Sequence, residues 1–263
     1  MKGSRHSSIP SKPHRDNCVP TFKLTLEYDG TAYAGWQRQP EQPTVQAEIE
    51  TALHHITHAD ISVIGAGRTD AGVHALGQVA SFRSDRDMTP DEWTRGLNAL
   101  LPDDISIRQT ELASDDFHAR YSAQGKLYEY RILNRRARSA FERHRAWHCW
   151  GDVSVETMQE GAQFLLGSHD FSAFEGPQSD AEKKLCTLRR LDVSRTNDLI
   201  IIHAEGDRFL KQMVRAIVGT LVEVGQGKRA PASMKSILES KDRRAAGYTA
   251  PAHGLYLMRV DYE

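Results

Sequence analysis

The sequence predicts an α+β fold in which each half of the chain mixes several strands with two longer helices. Short alternating or aliphatic runs predict the strands, and apolar residues recurring every three or four positions predict the helices. The predicted strands follow one another too closely along the chain for an all-parallel sheet, which favours the α+β class. With 263 residues, the chain can form one large domain or two smaller ones.

The first half, residues 21–113, is predicted to hold four strands and two helices. One helix opens at Pro43-Thr44, because the apolar residues from Val45 to Ile56 share one helical face. The second opens at Thr89-Pro90-Asp91-Glu92, a capping box with proline at the first helical position, and should stop near Leu101. The strands of this half are expected at residues 22–28, 61–64, 78–82 and 105–112.

The second half, residues 114–263, is predicted to repeat this mixture. A helix from Val155 to Leu166 is expected to end at Gly167, and a strongly apolar helix should run from Phe209 to Val224. A short helix is expected at residues 234–238, and strands at residues 127–133, 146–150, 188–194, 199–204 and 254–262. Residues 1–20, which contain little apolar material and carry a net charge of +3, are predicted to form a disordered basic tail.

Composition narrows the class of protein and its compartment. No apolar run approaches the roughly 20 residues of a membrane span, and the N-terminus lacks the apolar segment of a secretory signal. The three cysteines, Cys18, Cys149 and Cys186, are widely spaced and odd in number, which argues against a disulfide framework. We therefore expect a cytoplasmic protein without a membrane partner.

Charge is unevenly distributed along the chain. The net charge is −1, but residues 117–146 contain eight basic side chains against Glu129 and Glu142, a local excess of +6. Such an excess can bind a phosphate backbone even on a nearly neutral protein. The alternative is a solvated loop of ordinary composition.

The block from Gly65 to Ala75 is the most informative motif. It follows an apolar run and places Arg68 and Asp70 two residues apart among three glycines. In extended geometry these two side chains would point to the same side, and an arginine beside a carboxylate keeps it ionised and oriented, as a nucleophile requires. Spacing alone also fits a turn with a surface ion pair. The block lacks the spacing of a phosphate-binding or dinucleotide-binding loop, so no nucleotide cofactor is predicted.

This block resembles the signature of the TruA family of tRNA pseudouridine synthases, and further motifs in the same order extend the resemblance over roughly residues 22 to 260. These motifs are Tyr28-Asp29-Gly30-Thr31, Gly35-Trp36-Gln37, Phe117-His118-Ala119-Arg120, Lys126-Leu127-Tyr128-Glu129-Tyr130, Phe171-Ser172-Ala173-Phe174, the run from Gly206 through Phe209 and Met213-Val214-Arg215 to Gly219, and Ala250-Pro251-Ala252-His253-Gly254-Leu255-Tyr256-Leu257.

The resemblance implies a fold, a reaction and a set of site residues. The fold would be two ferredoxin-like, RRM-like halves whose mainly antiparallel sheets join, with the active-site cleft between them. Asp70 would be the nucleophile, Tyr128 would lie against the target base, and Arg215 would pair with the catalytic carboxylate. Arg68 would hold the RNA or fill the place of the extruded base. The substrate would be uridines 38, 39 and 40 of the tRNA anticodon stem-loop, bound by a homodimer without a cofactor.

Several alternatives stay open at this level. Strand alternation places Tyr128 and Tyr130 on one face, so the pattern does not separate them. His118 fits a packing role as well as a functional one. A tRNA-binding or folding module without catalysis, and an unrelated hydrolase using Asp70, remain rival functions. His54 and His58, four residues apart, lack the glutamate and third ligand of a zinc site, so no metal is predicted.

Overall fold

The structure, a computed structural model, describes residues 19–177 and 182–262. Within this part of the chain there are ten strands: β1 Thr21–Tyr28, β2 Ile64–Gly65, β3 His74–Arg83, β4 Ile105–Ala113, β5 Gly125–Leu133, β6 Trp147–His148, β7 Gly167–Asp170, β8 Leu185–Thr196, β9 Leu199–Gly206 and β10 Leu255–Asp261. The α-helices are α1 Val45–Thr57, α2 Pro90–Asn98, α3 Val155–Gln163, α4 Met213–Gly225 and α5 Ser233–Ser240. Most of the predicted disordered tail, residues 1–18, lies outside the described residues.

The strands form one continuous, mainly antiparallel sheet. Its order is β4-β1-β3-β10-β5-β9-β8-β7, with β2 beside β3 and β6 beside β5. The pairs β10–β3 and β5–β6 are parallel, and the other pairs are antiparallel. The predicted α+β class and the joined, mainly antiparallel sheet are confirmed. The division into residues 21–113 and 114–263 stays a prediction.

The C-terminal strand β10 joins the two sets of strands. Leu257 lies opposite Ala75 of β3 on one side and opposite Tyr128 of β5 on the other. The chain end is thus built into the middle of the sheet, between strands that lie far apart in sequence. This position brings the block that precedes β3 close to the face of β5 that carries Tyr128.

The helices of the first half begin where local capping predicts. The hydroxyl of Thr89 accepts the amide of Glu92 at 3.3 Å, and the Glu92 carboxylate accepts the amide of Thr89 at 2.8 Å. This reciprocal pair satisfies two amides that the first helical turn leaves without partners. Helix α2 ends at Asn98, short of the predicted Leu101, because the Asn98 side chain bonds both backbone groups of Ile107 and ties the helix end to β4.

Other predicted boundaries also differ from the structure, and three of these differences concern whole elements or their starting points. The strand predicted at residues 61–64 is reduced to the two residues of β2. Gly167, expected only to stop a helix, begins the additional strand β7 with a φ of 100°. Helix α4 begins at Met213 and not at Phe209, because Gln212 has a φ of 58° and interrupts the helical path.

The core lies against the sheet and is dominated by α4. Met213, Ile217 and Leu221 of this helix are fully buried, and most of its other residues are buried as well. The large side chains Trp36 and Phe174 are also buried. In the described part of the chain, no helix is long and apolar enough to cross a membrane.

Candidate active site

The Gly65–Ala75 block forms a loop between β2 and β3 that the surrounding backbone holds firmly. The amide of Trp36 donates to the carbonyl of Thr69 at 3.1 Å, and the amide of Val73 donates to the carbonyl of Asp70 at 3.1 Å. The phenol of Tyr28 lies 2.8 Å from the Thr69 hydroxyl. Asp70 is therefore presented by a fixed backbone, flanked on both sides by residues with hydrogen-bonded partners.

A glycine outside the block allows its close approach. Gly35 bridges Asp70 in the backbone and has a φ of 107°, and a Cβ atom there would lie 2.5 Å from the Thr69 carbonyl oxygen. Any side chain at this position would push the loop away and adopt a strained backbone. The Gly35-Trp36 pair thus belongs to the same structural unit as Asp70, although it precedes the block by some thirty residues.

The carboxylate of Asp70 is ion-paired with Arg215, near the beginning of α4. The Arg215 Nη1 atom lies 2.7 Å from the Asp70 Oδ2 atom, and the side chains are 14% and 27% exposed, respectively. A second guanidinium nitrogen, Nε, donates to the carbonyl of Ala250 at 2.8 Å. The amide of Ala250 donates in turn to the carbonyl of Arg215 at 3.0 Å. Arg215 is therefore held from two directions and orients the carboxylate.

Arg68 lies apart from this ion pair. Its side chain is exposed, and its Nε atom donates to the amide oxygen of Gln37 at 3.1 Å. The expectation that Arg68 and Asp70 act as a neighbouring pair is not met, because Arg68 bonds Gln37 and Arg215 takes the place beside the carboxylate. No carboxylate of the described residues lies within 4.0 Å of the Arg68 guanidinium, so the alternative of a structural ion pair is not seen either.

Tyr128 lies on β5 in the wall beside Asp70. It is 7% exposed and packs edge-on against Phe209, with ring centroids 5.0 Å apart. Burial, reinforced by the neighbouring Tyr28 and the Asp70 carboxylate, raises the pKa of the Tyr128 phenol well above its ordinary value. The hydroxyl is thus protonated at neutral pH.

The structure separates the two tyrosines that strand alternation left equivalent. The Tyr130 hydroxyl donates to the carbonyl of Pro251 at 2.7 Å, which commits it to the segment that also contacts Arg215. Tyr128 is the one whose ionisation is influenced by Asp70. The preference for Tyr128 over Tyr130 therefore has a physical basis.

The remaining residues that the sequence singled out have structural partners. The Nδ1 atom of His118 accepts the amides of Arg120 and Tyr121, each at 3.2 Å, which orders a tight turn. His54 lies 3.1 Å from Asp60. Within residues 19–177 and 182–262, no group of three or more His, Cys, Asp or Glu side chains is arranged to hold a metal ion.

The sequence interpretation gave no role at the site to two residues that contact it. Gln78 is fully buried, and its side-chain amide donates to the carbonyl of Gly67 at 2.9 Å, which fixes the start of the loop. Phe209 packs on Tyr128 from outside α4. For Gln78, the available signal was a polar side chain inside an apolar strand. Phe209 has helical spacing with the residues after it, so the sequence pattern placed it in the helix.

Comparison with known proteins gives a consistent result. A family model described as tRNA pseudouridine synthase matches residues 25–122 and 162–263. A protein named tRNA pseudouridine synthase A from Acetivibrio thermocellus is 47% identical over 240 residues, covering 91% of this chain and 98% of the relative. Proteins of the same name from Bacillus subtilis and Methylocella silvestris are 45% and 47% identical, covering 92% and 93% of this chain and 99% of each relative. The segments matched by the family model include Asp70 and Arg215.

Proposed function

This chain belongs to the tRNA pseudouridine synthases, a family of isomerases, and we propose that it converts uridines 38, 39 and 40 of the tRNA anticodon stem-loop into pseudouridine, with Asp70 as the nucleophile. The observation that supports this assignment is the ion pair between Asp70 and Arg215 beside the buried ring of Tyr128. It supplies an oriented carboxylate next to a flat, apolar surface of the size of a base.

The reaction rearranges atoms of the uridine alone. The N1–C1′ bond breaks, the base turns, and C5 bonds to C1′; C5 releases its hydrogen and N1 takes up a proton. No electrons are gained or lost, so the reaction needs no oxidant or cofactor. A carboxylate can assist by bonding transiently to C6 of the uracil or to C1′ of the ribose, and the geometry of Asp70 is compatible with both routes.

Tyr128 is suited to binding the base more than to removing a proton. Its ring can stack on uracil, and its hydroxyl is protonated because burial raises the phenol pKa. A protonated hydroxyl can donate a hydrogen bond to a carbonyl of the base, whereas a phenolate would be required for a ready-made general base. We therefore assign Tyr128 to stacking and orientation.

The two arginines have different roles in this proposal. Arg215 holds the Asp70 carboxylate through its 2.7 Å contact. Arg68 is exposed and is held by one hydrogen bond to Gln37, so its guanidinium is available to contact the RNA or to occupy the space that an extruded base leaves. Base extrusion is required because the reacting atoms of a stacked uridine are covered by its neighbours.

The proposal extends to assembly and compartment. A homodimer would place two basic segments along one tRNA and reconcile a net charge of −1 with RNA binding. A cytoplasmic location agrees with Cys149 and Cys186, which are buried and not bonded to each other as a disulfide.

The decisive experiment is tritium release from tRNA that carries [5-³H]uridine. The wild-type protein should release tritium, and Asp70→Asn should release none while binding the same tRNA with similar affinity. Asp103→Asn, which removes an exposed carboxylate outside the site, is the matched control and should behave as wild type. If the wild type binds tRNA but releases no tritium from any species, a binding or folding module is the better function.

A further inference from the structure

A lysine lies beside the loop on the side of Tyr128, and the charges of two arginines from other segments act on it. Lys126 lies on β5, two residues before Tyr128, so that both point to the same face of the strand. A Cβ atom placed on Gly67 would lie 3.1 Å from the Lys126 Cε atom and 4.0 Å from the Tyr128 hydroxyl. Arg208 follows Gly206, which lies opposite Lys126 in the pairing of β5 with β9, and the charges of Arg120 and Arg208 both act on Lys126.

None of these three cations has an anionic partner among the described residues. No carboxylate of this part of the chain lies within 4.0 Å of the charged nitrogens of Lys126, Arg120 or Arg208. The negative charge of Asp207 also acts on Lys126, but the Asp207 Oδ1 atom already accepts the amides of Thr187 and Arg208 at 2.8 and 2.6 Å. The cluster therefore keeps an excess of positive charge.

The position of Lys126 makes this excess unfavourable in the free protein. Its side chain is half-buried. Burial, followed by the positive charges of Arg120 and Arg208, lowers the pKa of the Lys126 ammonium group. A cation in such surroundings gains more from an incoming anion than an exposed lysine does, because it has already lost part of its hydration.

The side chain of Arg120 projects from an ordered turn. Its guanidinium lies 5.8 Å from the centre of the Tyr121 ring, and that ring packs on His118 at 4.3 Å. The His118 side chain also accepts the Arg120 amide. His118 thus has a positioning role in this turn.

We infer that Lys126, Arg120 and Arg208 form a binding site for a backbone phosphodiester that flanks the isomerised uridine. The inference rests on the proposed function, because the base position is set by Asp70 and Tyr128. Lys126 and Tyr128 lie on the same face of β5, and two residues along a strand are ~7 Å apart. This separation is comparable to that between a base and the phosphate of its own nucleotide. An RNA phosphodiester is therefore the anion that fits both the charge and the location.

A double-mutant cycle between protein and RNA tests the site. Affinity would be measured for tRNA assembled from two pieces, with a single neutral methylphosphonate immediately 5′ or 3′ to the target uridine. Lys126→Met keeps the apolar stem of the side chain but removes its charge. It should weaken the binding of tRNA that carries all its natural phosphates about tenfold. The same variant should lose little more when one of the two methylphosphonates is present, because the contact is already absent. Lys126→Arg should restore most of the affinity.

Lys235→Met serves as the matched control, because Lys235 is exposed on α5 and paired with Glu239. It should leave affinity unchanged. A Lys126→Met variant that loses affinity equally for neutral and charged phosphates at both positions would overturn the inference, and so would one with unchanged affinity. Because binding is read separately from turnover, a wild type that shows the coupling but makes no pseudouridine would reject the proposed function and retain the phosphate site.

Discussion

Arg215 is the residue on which the arrangement of the candidate site depends most. It lies in the first turn of α4, where the helix dipole disfavours a positive charge. Its contacts with Asp70 and with the Ala250 carbonyl, at 2.7 and 2.8 Å, offset this effect and use two different nitrogens of one planar group. One side chain thereby joins the loop before β3, helix α4 and the segment before β10.

Replacing Arg215 tests whether it acts by orienting the Asp70 carboxylate or only by its positive charge. We expect Arg215→Met to lower kcat/KM for tRNA roughly 100-fold, because the Asp70 carboxylate loses the group that positions it. The free energy of unfolding should fall by about 1–3 kcal/mol, since two hydrogen bonds are lost and a partly buried carboxylate is left unpaired. Tritium release measures kcat/KM, and urea denaturation measures the free energy of unfolding.

Arg215→Lys provides the informative comparison. Lysine retains the charge but cannot span both partners in the fixed planar geometry of arginine. It should recover part of the stability and little of the activity. Full activity of Arg215→Lys would contradict an orienting role and would indicate that charge alone is sufficient.

At the residue scale, the sequence named the participants but not all their contacts. Asp70 and Arg215 were assigned through the family resemblance, and they meet although 145 positions separate them. No local pattern contains that distance. A pairing of Arg68 with Asp70 was expected from strand alternation and is not observed, because Arg68 bonds Gln37 and Arg215 lies beside the carboxylate. The role of Arg68 toward RNA came from the family resemblance and stays a prediction.

At the scale of elements, the docking of α4 depends on one glycine. Gly219 lies one turn after Arg215, on the same face of the helix. A Cβ atom there would lie 1.9 Å from the carbonyl oxygen of Tyr248 and 3.3 Å from the amide nitrogen of Ala250. The absence of a side chain lets the segment before β10 approach close enough to bond Arg215.

Replacing Gly219 with alanine should change the stability of the protein in the opposite direction from the same substitution in an ordinary helix. Alanine normally stabilises a helix interior by up to about 1 kcal/mol relative to glycine. We expect Gly219→Ala to destabilise the protein by about 1–3 kcal/mol, because the backbone at Tyr248 must shift, and to reduce turnover by displacing Ala250 from Arg215. Thermal and urea unfolding, with tritium release, measure the two effects.

Gly96→Ala in α2 is the matched control. A Cβ atom at Gly96 would make ordinary contacts of 3.4 and 3.7 Å with the flexible ends of Ile56 and Met88. This variant should be neutral or slightly more stable than wild type. Equal stabilisation by both alanines would refute the close-approach argument for Gly219.

Element boundaries were predictable where they depend on neighbouring residues. The start of α2 is encoded by Thr89 and Glu92, which bond each other across one turn. The start of α4 is not encoded in this way. Phe209 continues the apolar spacing of the helix, but its ring packs on Tyr128. Gln212, which lies between Phe209 and the start of α4, takes a left-handed backbone conformation. A tertiary contact therefore overrides the helical pattern.

At the scale of the whole molecule, the order of the strands follows from contacts that local patterns do not contain. Each of the longer strands was predicted, but not the insertion of β10 between β3 and β5. Strand β10 runs parallel to β3 and antiparallel to β5, and its placement depends on pairing with residues far earlier in the sequence. The resemblance implied a joined sheet, and the structure adds that the last strand makes the join.

The basic segment identified in the sequence is only partly neutralised in the folded chain. Arg135 is paired with Asp198, and Arg145 lies 3.9 Å from Asp29. Arg136 and Arg138 are exposed, and neither lies within 4.0 Å of a carboxylate of the described residues. These two exposed arginines are thus available to bind RNA in addition to the proposed phosphate site. Replacing both with alanine should weaken tRNA binding and lower the slope of log K against log salt by about one for each lost phosphate contact.

If one tRNA contacts both subunits of a homodimer, a variant without the nucleophile and a variant with weakened RNA binding should complement each other. Asp70→Asn retains the basic segment, whereas the Arg136→Ala, Arg138→Ala variant retains the carboxylate. Dimers purified after co-expression of the two chains should release tritium at a rate well above the sum of the separate variants, because one subunit binds the RNA that the other isomerises. A mixture that gives only that sum, or a protein with the mass of a single chain at micromolar concentration, would mean that each subunit binds and modifies its tRNA alone.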